Sequence, residues 1–161
     1  MLTQQETIQR AMEFPMDYVT TRYAEDQNLP VEVAQEHERE LRRFLALCAA
    51  RGGYAMRGPI DEFWHTFIIF THDYSQFCQQ VAGDFIHHVP RTDAQGTEDP
   101  TKGGYWRFLK DYEEIFQEAP PAHIWPRTGT PEAEAAVCSY PCRSLACSPS
   151  CIAVPMPPPP R

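Results

Sequence analysis

Apolar residues recur at helical spacing along most of the first 117 positions. Thr3 to Glu13 reads as a short helix with Ile8, Ala11 and Met12 on its weak apolar side, and Thr3 followed by Glu6 fits a capping box. Pro15 interrupts it, and Asp17 to Asp26 forms a second helical piece or a loop, with Tyr18, Val19, Arg22 and Tyr23 at helical spacing. A longer pattern opens at Asn28 and Pro30, runs to Ala50 and stops at Gly52-Gly53. Its stripe is Val33, His37, Leu41, Phe44, Leu45 and Cys48; a histidine in such a stripe is usually a hydrogen-bonded core residue. Tyr105 to Gln117 is the last helix, with Tyr105, Phe108, Leu109, Tyr112, Ile115 and Phe116 on one face and Trp106 off its centre, placed to cap a neighbour.

Between these lies the stretch with the densest aromatic content, PIDEFWHTFIIFTHDYSQFC, residues 59–78. Pro59 in the first turn and the acidic Asp61 and Glu62 suit a helix N-terminus, and the pattern predicts one helix from Pro59 to about Val81, ended by Gly83. On a wheel of about 100° per residue, Phe63, Phe67, Phe70, Tyr74 and Phe77 group on one side, while Asp61, His65, Ile68 and His72 group opposite. A helix of this kind is buried on more than one face, so its ionisable groups need partners. Phe85 to Pro90 reads as a short turn or a further helical piece, and Arg91 to Gly104 as a polar loop. No stretch alternates convincingly enough for a sheet. The expectation is an all-α fold, a small helical domain with short connections.

Composition changes this picture at the C-terminus. Eleven of the sixteen prolines and four of the six cysteines lie beyond residue 119, dividing a helical domain over 1–119 from a loosely ordered Pro/Cys-rich tail over 120–161. The chain has 22 acidic against 14 basic residues, a net −8, which argues against nucleic acid and anionic membranes as partners without excluding a small localised basic site. No apolar run reaches the length of a membrane span, and the start lacks the charge and apolar core of a secretory signal. A cytoplasmic location is therefore expected, with Cys48 and Cys78 as free buried thiols.

In order, Asp61, Trp64-His65-Thr66, Tyr74, Cys78, His88 and then Trp106 with Phe116 resemble the glycine-rich domain-containing protein-like family, over roughly Val33 to Phe116. Plant-type members of that family carry further histidines just beyond the Trp-His-Thr core. Here Phe67 and Phe70 stand there and His72 is supplied instead. The glycine-rich tail of larger relatives is absent. The resemblance implies the domain's extent and the importance of His65 and His88; it names no reaction.

The sharpest chemistry available is a metal centre of His65, His72 and one or both of His87 and His88, with Asp61 as ligand or orienting group and His37 entering from the neighbouring helix. Neutral imidazole and carboxylate suit Zn²⁺, Fe²⁺, Mn²⁺ or Ni²⁺. The competing reading makes Asp61 and His65 a hydrogen-bonded hub, with His72 in solvent and one adjacent histidine closing the turn. Cys48 and Cys78 have no oxyanion-hole sequence near them to support nucleophilic catalysis. Cys138, Cys142, Cys147 and Cys151 could bind Zn²⁺ or Cu⁺, form two disulfides, or form no ordered site, and Pro157 to Pro160 favour polyproline II. Together these readings predict a binding or accessory protein with a pocket around His65 and an unknown protein or small-molecule partner. A histidine-ligated metalloenzyme and a metal-free interaction module are the alternatives.

Overall fold

In a computed structural model of the protein, the structure describes residues 2–90, 104–127 and 151–155. Among the described residues six helices carry the fold, which is all-α: α1 (Gln4–Glu13), α2 (Asp17–Gln27), α3 (Val31–Arg51), α4 (Ile60–Ile69), α5 (Thr71–Val81) and α6 (Gly104–Phe116). The capping box closes α1 as the sequence predicts, with Glu6 N–H donating to Thr3 Oγ1 (3.2 Å) and Thr3 N–H to Glu6 Oε2 (2.8 Å). The stretch over Asp17–Asp26, left open between helix and loop, is helical; Asn28, at φ 52°, ends it in the left-handed conformation that asparagine tolerates.

The longest helix, α3, is the hub. It packs against α1, α2, α4 and α6, and its burial extends well beyond one stripe, to Ala34, Glu40, Arg42, Ala46 and Leu47. Two of those charges are held by the structure around them. Arg42 donates to the carbonyls of Ala11 (2.8 Å) and Met12 (3.0 Å), which lack helical partners at the end of α1, and also to Glu38. Glu40, wholly buried, accepts from Tyr112 Oη (3.0 Å) and Trp125 Nε1 (2.8 Å). Trp125 itself is fully buried, stacked on Phe44 and packed on Phe108, with Ile124 buried beside it. The packed body therefore continues past residue 119 and takes in the first residues of the proline-rich segment.

Two features differ from the sequence expectation. The helix expected over 59–81 is two helices, broken at Phe70 (φ −77°, ψ 64°). Ten residues of continuous helix would separate Phe67 from Phe77 by about 15 Å along the axis. With the break their ring centroids lie 5.4 Å apart, both against Phe14, and Trp64 Nε1 reaches Tyr74 Oη at 3.0 Å. Core closure thus overrides the local helical pattern. The second difference is a small sheet, in the order β1–β3–β2, formed by β1 (Ala55–Met56), β2 (Ile86–Pro90) and β3 (Cys151–Pro155). The 85–90 segment is mainly a strand, not a turn or helical piece. It pairs antiparallel with β3, Ile86 opposite Pro155 and His88 opposite Ala153. A strand whose partner lies more than sixty positions away leaves no local signal beyond its β-branched residues.

The loop expected over 91–104 lies outside the described residues up to position 103, as do Cys138, Cys142, Cys147 and Pro157 to Pro160. Of the tail thiols only Cys151 falls within them, as part of the β3 backbone. Trp106 is 43% exposed on α6. Among the described residues no helix is long and apolar enough to cross a membrane.

Candidate metal centre

Asp61 and His65 stand one turn apart near the start of α4, so both project from the same side of that helix. His88 comes from β2. Its Nε2–H donates to Asp61 Oδ1 at 2.9 Å, and its ring lies 4.5 Å from the His65 ring, centroid to centroid. His65 Nε2 is 4.0 Å from Asp61 Oδ2, and its Nδ1 is 4.0 Å from Glu62 Oε2. One nitrogen from each histidine and one oxygen of Asp61 fall within 4.8 Å of one another, the one such group of three among the described residues.

The site grades from closed to open. The side chain of His88 is 6% exposed, that of Asp61 21% and that of His65 41%, so solvent reaches the cluster from the His65 side. The Glu62 and Asp61 carboxylates raise the pKa of His65 against the opposing effect of burial, Glu62 having the largest influence.

What delivers His88 to Asp61 can be traced residue by residue. Trp64, fully buried, packs edge-to-face with His88, ring centroids 4.4 Å apart, and donates Nε1–H to Tyr74 Oη. Tyr74 Oη donates in turn to the Ile86 carbonyl, and Ile86 N–H donates to Cys78 Sγ at 3.5 Å. Both backbone groups of Ile86 are thereby held from α5, two residues before His88 on the same side of the strand. Trp64, Tyr74 and Cys78 belong to the ordered motif visible in the sequence, and their shared task here is to place the histidine strand. Burial raises the pKa of Cys78, and raises that of Cys48 much further, which keeps both as neutral thiols and removes the basis for a nucleophilic role.

The other predicted ligands lie elsewhere. His72, beyond the break at Phe70, is 80% exposed and has Asp73 Oδ1 3.9 Å away. His37 is buried in α3 with Nδ1 2.9 Å from Tyr23 Oη, and burial lowers its pKa. His87 points away from His88 along the strand, packs on Phe85 at 4.8 Å, and has a sealed Nε2 with no hydrogen-bond partner. Sequence reasoning missed Glu62 as a neighbour of His65; its i,i+3 spacing was the available signal.

Fold and site together define a small helical domain with a mixed imidazole–carboxylate cluster between a helix N-terminus and a short strand. The chain belongs to the UCP032817-like family, whose model matches residues 3–122. No curated protein and no solved structure matches it.

Proposed function

We propose that the protein is a small, soluble, cytoplasmic binding or accessory protein that holds a divalent transition-metal ion on Asp61, His65 and His88. The observation that carries this reading is the convergence of two imidazole nitrogens and one carboxylate oxygen within 4.8 Å of one another. Four-coordinate zinc at about 2.0–2.1 Å from nitrogen would need donors about 3.4 Å apart. The half-exposed His65 has the freedom to close that difference, whereas His88 is already fixed by Trp64 and Asp61. Glu62, beside His65 Nδ1, is placed to orient the ring so that Nε2 faces the ion.

Two imidazoles and one carboxylate suit Zn²⁺, Fe²⁺, Mn²⁺ or Ni²⁺ and leave coordination positions for water or a small ligand. That donor count, with access from the His65 side, favours a metalloenzyme acting on a small substrate as the second reading. The ordered Trp-His-Thr motif supports a finer kinship with the glycine-rich domain-containing protein-like family, because its Asp61, Trp64, His65, Tyr74, Cys78 and His88 all contribute to this one site.

The test is calorimetric titration of the full chain with each of the four ions, alongside elemental analysis of the protein as purified. Stoichiometric binding that His65→Ala weakens at least tenfold, with the helical circular dichroism unchanged, supports the reading. Binding indifferent to His65→Ala and to Asp61→Asn, or no binding of any of the four, rejects it.

A further inference from the structure

Arg57 lies between β1 and α4, and among the described arginines it alone has neither a carboxylate nor a carbonyl partner. Arg22, Arg39, Arg42, Arg43, Arg51 and Arg127 all pair with acidic side chains. Arg10 and Arg107 donate to backbone carbonyls. The guanidinium of Arg57 sits over the ring of Tyr105 at 5.1 Å, and its Nε is sealed from solvent with no hydrogen-bond acceptor. Leaving a buried donor of this kind without an acceptor forfeits its hydration with nothing in return. Acids are not scarce in a chain with 22 of them against 14 basic residues, so the missing partner is not explained by composition.

The surroundings hold Arg57 in place. Tyr105 is fixed by donating Oη–H to the Pro126 carbonyl (2.8 Å), and the next residue, Gly58, is held at φ +88° against the Ile124 carbonyl. A cation on an aromatic face uses none of its N–H donors, so the Nη1/Nη2 edge of the guanidinium, on the side away from the sealed Nε, stays open to a forked acceptor. Arg57 as a whole is partly exposed, which gives a solvent-borne group a route to it.

We propose that Arg57 is an anion-binding residue that takes the carboxylate or phosphate group of a small ligand through paired N–H···O bonds, with Tyr105 as the platform. The site stands on its own and does not depend on a metal at Asp61, His65 and His88. It supplies the localised positive charge that an acidic chain needs in order to bind an acidic small molecule.

The experiment is nitrogen-15 NMR of the full chain, following arginine Nε–Hε signals during titration with acetate, inorganic phosphate and chloride at constant ionic strength. The Arg57 signal is assigned by its loss in Arg57→Gln. A saturable shift of that signal with acetate or phosphate supports the proposal, and the tighter of the two names the ligand chemistry. Arg57→Lys, followed through the Tyr105 amide, keeps the charge without the fork and should bind at least about tenfold more weakly, the loss of one charge-assisted hydrogen bond. No saturable shift, an equal response to chloride, or undiminished affinity in Arg57→Lys overturns it. Arg57→Lys also covers the case in which Arg57→Gln fails to fold.

Discussion

Two histidines in this domain experience opposite environments, and the difference is measurable. His65 gains the Glu62 and Asp61 carboxylates, which raise its pKa above 6.5, while His37 is buried beside Tyr23 and its pKa falls below 6.5. A raised value means that the stabilisation from His65 is complete below about pH 6.5 and is lost as pH climbs through the folded-state value. For His37 the unfolded chain takes the proton first, so stability falls as pH drops below about 6.5 and levels off below the folded-state value. An NMR titration of the metal-free protein should therefore place the His65 midpoint above the His37 midpoint. Coincident midpoints would mean that neither environment persists in solution. Metal binding at His65 must displace its proton, so affinity should rise with pH across the His65 midpoint.

Elements were legible in the sequence where the pattern was local. Thr3 and Glu6 announce α1, and Pro30 and Gly52 bracket α3, because caps and breakers act within a few residues. The break at Phe70 was not legible, since it is imposed by contacts of Phe67 with Phe77 and of Trp64 with Tyr74 that exist only after α5 folds back. The same break explains why Asp61 and His65 belong to the cluster and His72 does not. His88 could be suspected from the sequence, but its place on a strand could not, because β2 is defined by a distant partner. The turn leading into α4 is another tertiary feature, and it makes a prediction. Gly58 is at φ +88°, and a Cβ there would overlap the Ile124 carbonyl oxygen. Gly58→Ala should therefore destabilise the protein by more than about 1 kcal/mol in denaturant titration and disturb the near-ultraviolet signal of Trp125. A change of only a few tenths would show that residue 124 is not held against this turn.

At the scale of the whole molecule the question is where the cooperative unit ends. Proline and cysteine content placed that limit at residue 119, and composition is a fair guide to chain that buries little. It missed Ile124 and Trp125 because two large side chains barely alter the average of a 42-residue segment. Trp125 fills the space between Phe44 on α3 and Phe108 on α6 and gives Glu40 one of its hydrogen-bond donors. Without it the core holds a cavity and the buried carboxylate loses a partner. Losing a buried tryptophan side chain costs about 3–5 kcal/mol, a large part of the 5–15 kcal/mol typical of whole domains. A chain ending at Arg127 should therefore unfold in a single cooperative transition, whereas one ending at Ala119 should be less stable by roughly that amount or fail to fold. Paired thermal and denaturant melts decide the matter. Equal stability of the two chains would show that the helices close their core without Trp125, and that Glu40 is satisfied by Tyr112 and the neighbouring Arg39 and Arg43 alone.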